Sequence, residues 1–284
     1  MLYIFMRFPY GKTKAVTLSY DDGCRWDIRL SEILNAHNIK CTFNLSSDRI
    51  GRDKWYLNKD EVKEFLIDKG HEIAIHGADH RAPGSQKPVA GIRDILNCRL
   101  SLEKEFGHII RGMAYPDTGI RHFEGVTSYE TIKNYLKELG IVYSRTLGND
   151  NNTFLLPEDW YAWMPTAHHN NSELFQYIDQ FIELNVDEVY ISRRFPRLFY
   201  LWGHSYEFEN DNNWDRIEQI CSKVSEKDDV WYATNIEIYN YVNAYNSLIF
   251  SADETIVYNP THFTIWFDID GKLYSIKPAE TLLL

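Results

Sequence analysis

The chain has 284 residues, of which 44% are hydrophobic and 25% charged, and its formal net charge at pH 7 is −11. A chain of this length buries about 75% of the surface of its unfolded state, which is enough for one large enzyme domain. The negative charge, with no block of basic residues, argues against nucleic acid and anionic lipid as partners. No stretch predicts a membrane span, and residues 1–10 lack the apolar core of a signal peptide, so we expect a cytoplasmic protein.

Short apolar runs alternate with helical stretches along most of the chain. Helices are predicted where apolar residues recur at helical spacing, in residues 61–69, 89–106, 129–139 and 173–184. Strands are predicted for residues 15–20, 40–45, 72–75, 112–115, 141–144, 198–203 and 230–233. This alternation is typical of βα units. It predicts an α/β fold, a complete or distorted (β/α) barrel of about seven units over residues 12–245.

The pattern changes after residue 245. Short strand-like runs are separated by the turn signals Asn259-Pro260 and Asp270-Gly271. We therefore predict that residues 246–284 form a small antiparallel β appendage. It is either a cap on one end of the barrel or an accessory surface for sugar binding or subunit contact, and the oligomeric state stays open.

Two groups of ionisable residues follow predicted strands. Asp21 and Asp22 end the first strand, and His76 and His80 follow the third. Taken singly, Asp-Asp-Gly is a common turn and a His-x-x-x-His pair is often two partly exposed imidazoles. Since the chemistry of an α/β barrel lies at the carboxyl ends of its strands, the two positions together indicate one site. One carboxylate and two imidazoles suit Zn²⁺ or a similar divalent ion, and Asp21 is then free to act as a base on water.

Both motifs resemble those of a known family. LSYDDG at residues 18–23 is similar to the first motif of the polysaccharide deacetylases, also called carbohydrate esterase family four or the NodB homology domain, and GHEIAIHGADH at residues 70–80 is similar to the second. The resemblance implies a NodB-like barrel and a metal-dependent hydrolase that removes N-acetyl groups from an amino-sugar-containing glycan or glycoconjugate. It also implies a role for each motif residue, with Asp21 as general base and the metal ligands being Asp22, His76 and His80. The expected ion is Zn²⁺, with Co²⁺, Mn²⁺ and Ni²⁺ as alternatives.

The third motif matches the family only in part. RGMAYPDTG at residues 111–119 takes its place, but the arginine that steadies the base in many members aligns with Ala114, and Asp117 replaces an aromatic residue. In the family the backbone N–H at this position helps to hold the oxyanion, and Asp117 can still offer its N–H whatever its side chain. Arg145 ends the next predicted strand and is our candidate to replace the missing arginine; the alternative is an ordinary surface arginine.

The last motif of the family is a strand that ends in Leu-x-His, and FYLWGH at residues 199–204 resembles it. The resemblance implies that His204 protonates the leaving amine, although a lone histidine at a strand end is more often structural. In the family an aspartate orients this histidine. Here Asp159 and Glu207 are the candidates, and their spacing does not decide between them.

Aromatic residues make up 15% of the chain, and their rings can stack on sugar faces as well as fill a core. Trp160 and Trp202 are the candidates for stacking on a sugar ring, and Tyr115 and Pro116 for lining the substrate site. His168 and His169 lie in a polar loop, where they border the cleft, bind a second metal or are simply solvated.

Three other functions stay open at this point. One is a carbon–nitrogen hydrolase that acts on a non-sugar amide or a cyclic ureide; because some such relatives lack the full metal set, the retained ligands argue against it. Another is an O-acetyl esterase. The third is a non-catalytic carbohydrate-binding relative, which only the altered third motif supports.

Overall fold

The computed structural model describes residues 2–117, 120, 125–147 and 150–284. Its helices are α1 (Asp27–Ala36), α2 (Lys59–Glu61), α3 (Pro88–Phe106), α4 (Tyr129–Glu138), α5 (Leu174–Glu183), α6 (Ser205–Asn210), α7 (Asp215–Val224) and α8 (Asn235–Asn246). Its strands are β1 (Ile4–Arg7), β2 (Lys14–Asp21), β3 (Thr42–Leu45), β4 (Glu72–Ile75), β5 (Gly112–Ala114), β6 (Tyr143–Arg145), β7 (Ala167–His168), β8 (Arg197–Gly203), β9 (Val230–Tyr232), β10 (Ile249–Phe250), β11 (Ile256–Tyr258), β12 (Ile265–Ile269), β13 (Lys272–Ile276) and β14 (Thr281–Leu283). In the part of the chain so described, every helix is too short or too polar to cross a bilayer.

A parallel sheet forms the centre of the fold. Its strands follow the order β6-β5-β4-β3-β2-β8-β7, and β9 pairs with β2 as well. Strand β8 pairs along one edge of β2, whereas β9 pairs with residues 14–16 of β2 and β3 with residues 19–21. Because a strand has only two edges, β9 and β3 share the second edge of β2. The sheet curls into a half-barrel flanked by helices, which confirms the predicted distorted (β/α) barrel.

The side chains of β2 alternate between the two faces of the sheet, and this alternation places the first acidic residue. The even-numbered residues from Val16 to Tyr20 pack under the helices in the main hydrophobic core. The odd-numbered residues are polar: Thr17 donates to Asn235 at 2.8 Å, and Ser19 accepts from Asn44. Asp21 continues this polar row and so lies inside the barrel, at its carboxyl end.

The C-terminal residues form two small antiparallel sheets, as predicted for the appendage, in the orders β1-β12-β13 and β10-β11-β14. The amino-terminal strand β1 pairs with β12, so one of these sheets also contains residues that precede the barrel. Phe267 of β12 shares a core cluster with Ala15 and Leu198, which lie near the amino ends of β2 and β8. The appendage therefore covers the amino end of the barrel, away from Asp21. The division at residue 245 stays a prediction.

The ends of the predicted central strands agree with the structure to within two residues, and helices α3, α4 and α5 agree as closely. The predicted helix 61–69 is instead irregular: α2 continues as a π-helical turn (Val62–Leu66) and a 3-10 turn (Ile67–Lys69). Helices α1 and α8 were not predicted. Their sequences lack a clear apolar stripe because polar residues are among those they bury, namely Asp27, Ser31 and Asn235.

Candidate active site

Asp21 ends β2, and only 2% of its side chain is exposed. Asn44 Nδ2 donates a hydrogen bond to Asp21 Oδ1 at 2.9 Å, and Arg145 Nη2 donates to Asp21 Oδ2. Arg145 ends β6 and is fully buried, with its guanidinium carbon 4.5 Å from the centre of the Trp202 ring. The charge of Asp21 is therefore paired, and Arg145 is not a surface arginine.

Asp22, His76 and His80 form a second group beside Asp21. Their ligand atoms all lie within 4.8 Å of one another. From Asp22 Oδ1 the distance is 3.2 Å to His80 Nε2 and 4.0 Å to His76 Nε2, while Arg49 Nη1 donates to the same oxygen at 2.8 Å. The four residues predicted from two separate motifs thus lie together at the carboxyl end of the barrel.

The hydrogen bonds of this group fit a divalent cation. His76 Nδ1 lies 3.0 Å from the carbonyl oxygen of Ala114. A carbonyl only accepts hydrogen bonds, so Nδ1 carries the proton and Nε2 presents its lone pair to the group. Burial lowers the pKa of His76 to about 4, so the ring is neutral near pH 7. Burial also acts to raise the pKa of Asp22, but the hydrogen bond with His80 and the charge that His76 carries at low pH outweigh it and hold that pKa well below its ordinary value.

His204 lies between two carboxylates. It follows β8 directly, with Nε2 4.0 Å from Asp21 Oδ2 and Nδ1 3.4 Å from Glu207 Oε1. Burial acts to lower the pKa of His204, but the contact with Glu207 and the charge of Asp21 outweigh it, and the pKa is raised. Near neutral pH the ring therefore holds its second proton more firmly than an exposed histidine does, and an imidazolium is a proton donor.

Glu207 is surrounded by three histidines. Besides His204, His168 Nε2 lies 3.1 Å and His169 Nε2 2.9 Å from Glu207 Oε2. Burial acts to raise the pKa of Glu207, but its bonds with His168 and His169 outweigh burial and hold the pKa far below the ordinary value. His169 is fully buried, and a Cβ on residue 203 would lie 2.0 Å from its Nδ1, so Gly203 is what admits the ring. His168, His204 and Glu207 also form a second group whose ligand atoms lie within 4.8 Å of one another.

Two of the residues considered for the site lie elsewhere. Trp160 packs edge-on against Trp163, with ring centres 4.8 Å apart, and against a tyrosine of α8. The segment of Trp160 runs parallel to β6 and reaches the level of Arg145 only at Trp163, so Trp160 lies toward the amino end of the barrel. Asp159 accepts hydrogen bonds from a tyrosine and a lysine of α4 at 2.6 and 2.7 Å. Trp202 is the tryptophan that borders the site, and Glu207, not Asp159, lies beside His204.

In the third motif, residues 111–119, the side chains of Tyr115 and Pro116 are buried, so backbone groups are what this motif can offer to the site. Tyr115 is 1% exposed and its hydroxyl donates to the carbonyl of Tyr161 at 2.8 Å, so its side chain belongs to the core and is not available to a substrate. Pro116 is buried as well. Asp117 is exposed and has a φ of 55°, in the left-handed region. Thr118 and Gly119 of this motif lie outside the described residues.

Asn44 and Arg49 were not predicted as site residues, and His169, predicted with His168 as a loop histidine, is fully buried beside Glu207. Asn44 interrupts the predicted apolar strand 40–45, and an inward polar residue in such a strand is a usable signal. Glu207 stands three residues after His204, which is the spacing of a helix capping box, and the structure has that arrangement. Arg49 lies in a loop and had no comparable signal.

Residues 8–143 match a family model described as polysaccharide deacetylase. A protein from Mycobacterium smegmatis assigned as a polysaccharide deacetylase is 18% identical, with a TM-score of 0.58 over 84% of this chain and 93% of that one. A protein from Pseudomonas aeruginosa PAO1 with the same assignment is 15% identical, with a TM-score of 0.56 over 80% of this chain and 89% of the other. Puue allantoinase is 13% identical, with a TM-score of 0.57 over 82% and 91%. Among curated proteins, none matches this chain. The solved structures establish the fold, and residues 8–143, just under half of the chain, are similar to the polysaccharide deacetylases.

Proposed function

We propose that this protein is a metal-dependent hydrolase that removes N-acetyl groups from an amino-sugar-containing glycan or glycoconjugate. One observation carries the proposal: the ligand set and the acid both lie beside Asp21, the buried carboxylate that is the proposed base. His76 Nε2 lies 3.9 Å and His204 Nε2 4.0 Å from Asp21 Oδ2. The match of residues 8–143 to the polysaccharide deacetylase model supports the removal of an acetyl group by hydrolysis.

Asp22, His76 and His80 would hold the cation, with Zn²⁺ the ion that this ligand set suits best. When bound, a divalent cation polarises an acyl oxygen and lowers the pKa of water. Asp21 takes the proton from the attacking water, and Arg145 and Asn44 hold its carboxylate in place for that step.

His204 is the proton donor of the proposed mechanism. As the tetrahedral intermediate collapses, the C–N bond breaks and the amine leaves with a proton from His204 Nε2, so the products are acetate and a free amino sugar. An amine anion is a very poor leaving group, which is why an amide needs this proton more than an ester does. Glu207 supports the donor, because its carboxylate faces the other ring nitrogen at 3.4 Å.

Other parts of the site have supporting roles in the proposal. The backbone N–H of Asp117 would help to hold the oxyanion, at the end of the segment that follows β5. Trp202 would stack on a sugar ring, and His168, 25% exposed beside it, would border the substrate.

A second candidate is hydrolysis of a non-sugar amide, because the fold of Puue allantoinase is as similar to this chain as that of the first deacetylase above, with TM-scores of 0.57 and 0.58. The test is a substrate panel: N-acetylated chito-oligosaccharides, an O-acetylated xylan and allantoin. We expect acetate and free amine from the first. Turnover of allantoin alone would favour the second candidate, and turnover of xylan alone an O-acetyl esterase.

A further inference from the structure

We propose that Asp94, on helix α3, is a positioning residue that fixes the turn between His76 and His80. The inference rests on the proposed metal site, but it concerns a side chain that hydrogen-bonds to the backbone of the turn. It deepens the proposed function because it says what holds the two histidines at the spacing that a cation needs.

The carboxylate of Asp94 lies inside this turn. The backbone N–H of Asp79 donates to Asp94 Oδ1 at 2.9 Å. On the other side, a Cβ placed on Gly77 would lie 2.6 Å from Asp94 Oδ2, closer than atoms can approach. The φ of Gly77 is +73°, which also favours glycine. The carboxylate thus fills the space that a side chain at residue 77 would occupy.

Burying the carboxylate of Asp94 in the turn costs free energy of folding, which indicates that Asp94 has a functional role. Asp94 Oδ2 is buried and has no hydrogen-bond partner among the residues that the structure describes. A polar atom in that state destabilises the protein unless the rest of the group compensates. Burial accordingly raises the pKa of Asp94.

Asp94 acts on His80 through the backbone. His76 has its own hydrogen bond, to the carbonyl of Ala114, and that bond fixes its ring. His80 lies at the far end of the turn with a φ of 53°, a conformation that a residue other than glycine adopts only when its neighbours hold it there. The bond from Asp79 N–H to Asp94 lies immediately before His80. Without it, His80 Nε2 would not be held 3.2 Å from Asp22 Oδ1.

The experiment measures Co²⁺ affinity and the Co²⁺ absorption spectrum of metal-free protein that is reloaded with the ion. Three variants separate the explanations: Asp94→Asn, Asp94→Leu and Asp94→Ala. We expect Asp94→Ala and Asp94→Leu to weaken binding by roughly 10- to 100-fold, as is typical when a group that orients a ligand is lost, with a changed spectrum. Asp94→Asn should stay within about threefold of the wild type, because its amide oxygen still accepts the N–H of Asp79.

A matched control removes a nearby charge without touching the turn's N–H groups. Asp48 is exposed and lines the same cavity as Asp94, a space of about 460 Å³. We expect Asp48→Asn to bind Co²⁺ like the wild type. Thermal unfolding of each metal-free variant shows that the fold is intact. Gly77→Ala adds an independent measurement: it should weaken binding more in the wild-type background than in Asp94→Ala, where the oxygen that a Cβ meets is gone.

The outcomes are distinct. Wild-type affinity in both Asp94→Ala and Asp94→Leu overturns the inference. So does an Asp94→Asn variant as weak as Asp94→Ala, or a Gly77→Ala effect that is the same in both backgrounds. Equal weakening by Asp48→Asn and Asp94→Asn means that charge, not position, is what matters. If the wild type itself binds no Co²⁺, the proposed metal site fails, and this inference fails with it.

Discussion

Replacing Glu207 by Gln tests whether the carboxylate beside His204 makes that histidine an effective acid. Glu207 Oε1 lies 3.4 Å from His204 Nδ1, and the two side chains are 24% and 20% exposed. At 3.4 Å two unit charges attract by about 5 kcal/mol at an effective dielectric constant of about 20, and by about 1.2 kcal/mol in water. Because water reaches the pair, we use the lower figure, and about 1.2 kcal/mol is nearly a tenfold change in an equilibrium.

Glu207→Gln should therefore reduce amide hydrolysis by up to about tenfold at neutral pH, because less of His204 is protonated. The alkaline limb of the pH profile should move to lower pH, since the raised pKa of His204 falls when its carboxylate partner is lost. Hydrolysis of an activated acetyl ester should fall much less, because its leaving group needs no proton. The assay compares both substrates from pH 5 to 9.

The control is Glu209→Gln, which removes a charge from the same helix; the carboxylate of Glu209 accepts its hydrogen bond from the indole of Trp214. Equal losses on amide and ester in Glu207→Gln, or an unmoved alkaline limb, would refute the assignment of Glu207 as the support of the acid.

Three further predictions concern single residues. His204→Ala should retain the metal yet lose amide hydrolysis by about a hundredfold or more, and lose less on an activated ester; equal losses would count against an acid. Arg145→Ala leaves the buried carboxylate of Asp21 unpaired, so we expect a loss of about 3–5 kcal/mol in unfolding free energy as well as of turnover, and unchanged values in both would make Arg145 dispensable. Asp27 is fully buried, accepts a hydrogen bond from Ser205 at 2.6 Å, and burial raises its pKa to about 8. Between about pH 4 and 8 the native state keeps a proton that the unfolded state loses, so stability falls as pH rises, by up to about 1.4 kcal/mol per pH unit. Asp27→Asn should remove that slope from urea unfolding measured at several pH values, and an unchanged slope would show that Asp27 does not cause it.

The central fold could be predicted because its strands are short apolar runs that alternate with amphipathic helices. Strand β4 was predicted with the bounds it has, and the positions of Asp21 and His76 followed from strand ends. The appendage was predicted as antiparallel strands, but its pairing with β1 was not. A pairing between the two termini depends on long-range contacts, which local sequence patterns do not contain.

The site was harder to predict than the fold. The group of Asp21, Asp22, His76 and His80 follows from two specific motifs, and Arg145 was placed by its strand end alone. Tyr115 and Trp160 were proposed as substrate residues because they are aromatic and lie near motifs. Both instead pack against other side chains. Burial of an aromatic ring is strongly favourable, and the residues next to it in the sequence do not show whether it is buried.

Acetate release from N-acetylated chito-oligosaccharides, by protein of known metal content, tests whether this chain is a metal-dependent N-deacetylase. It is measured before and after chelation, and with the variants Asp22→Ala and Asp21→Asn. We expect about one divalent ion per chain in the wild type and in Asp21→Asn, with activity only in the wild type, lost on chelation and restored by Zn²⁺ or Co²⁺. Asp22→Ala should lose both the ion and the activity. Acetate release that persists after complete removal of metal, or that survives in Asp21→Asn, would contradict the proposed function.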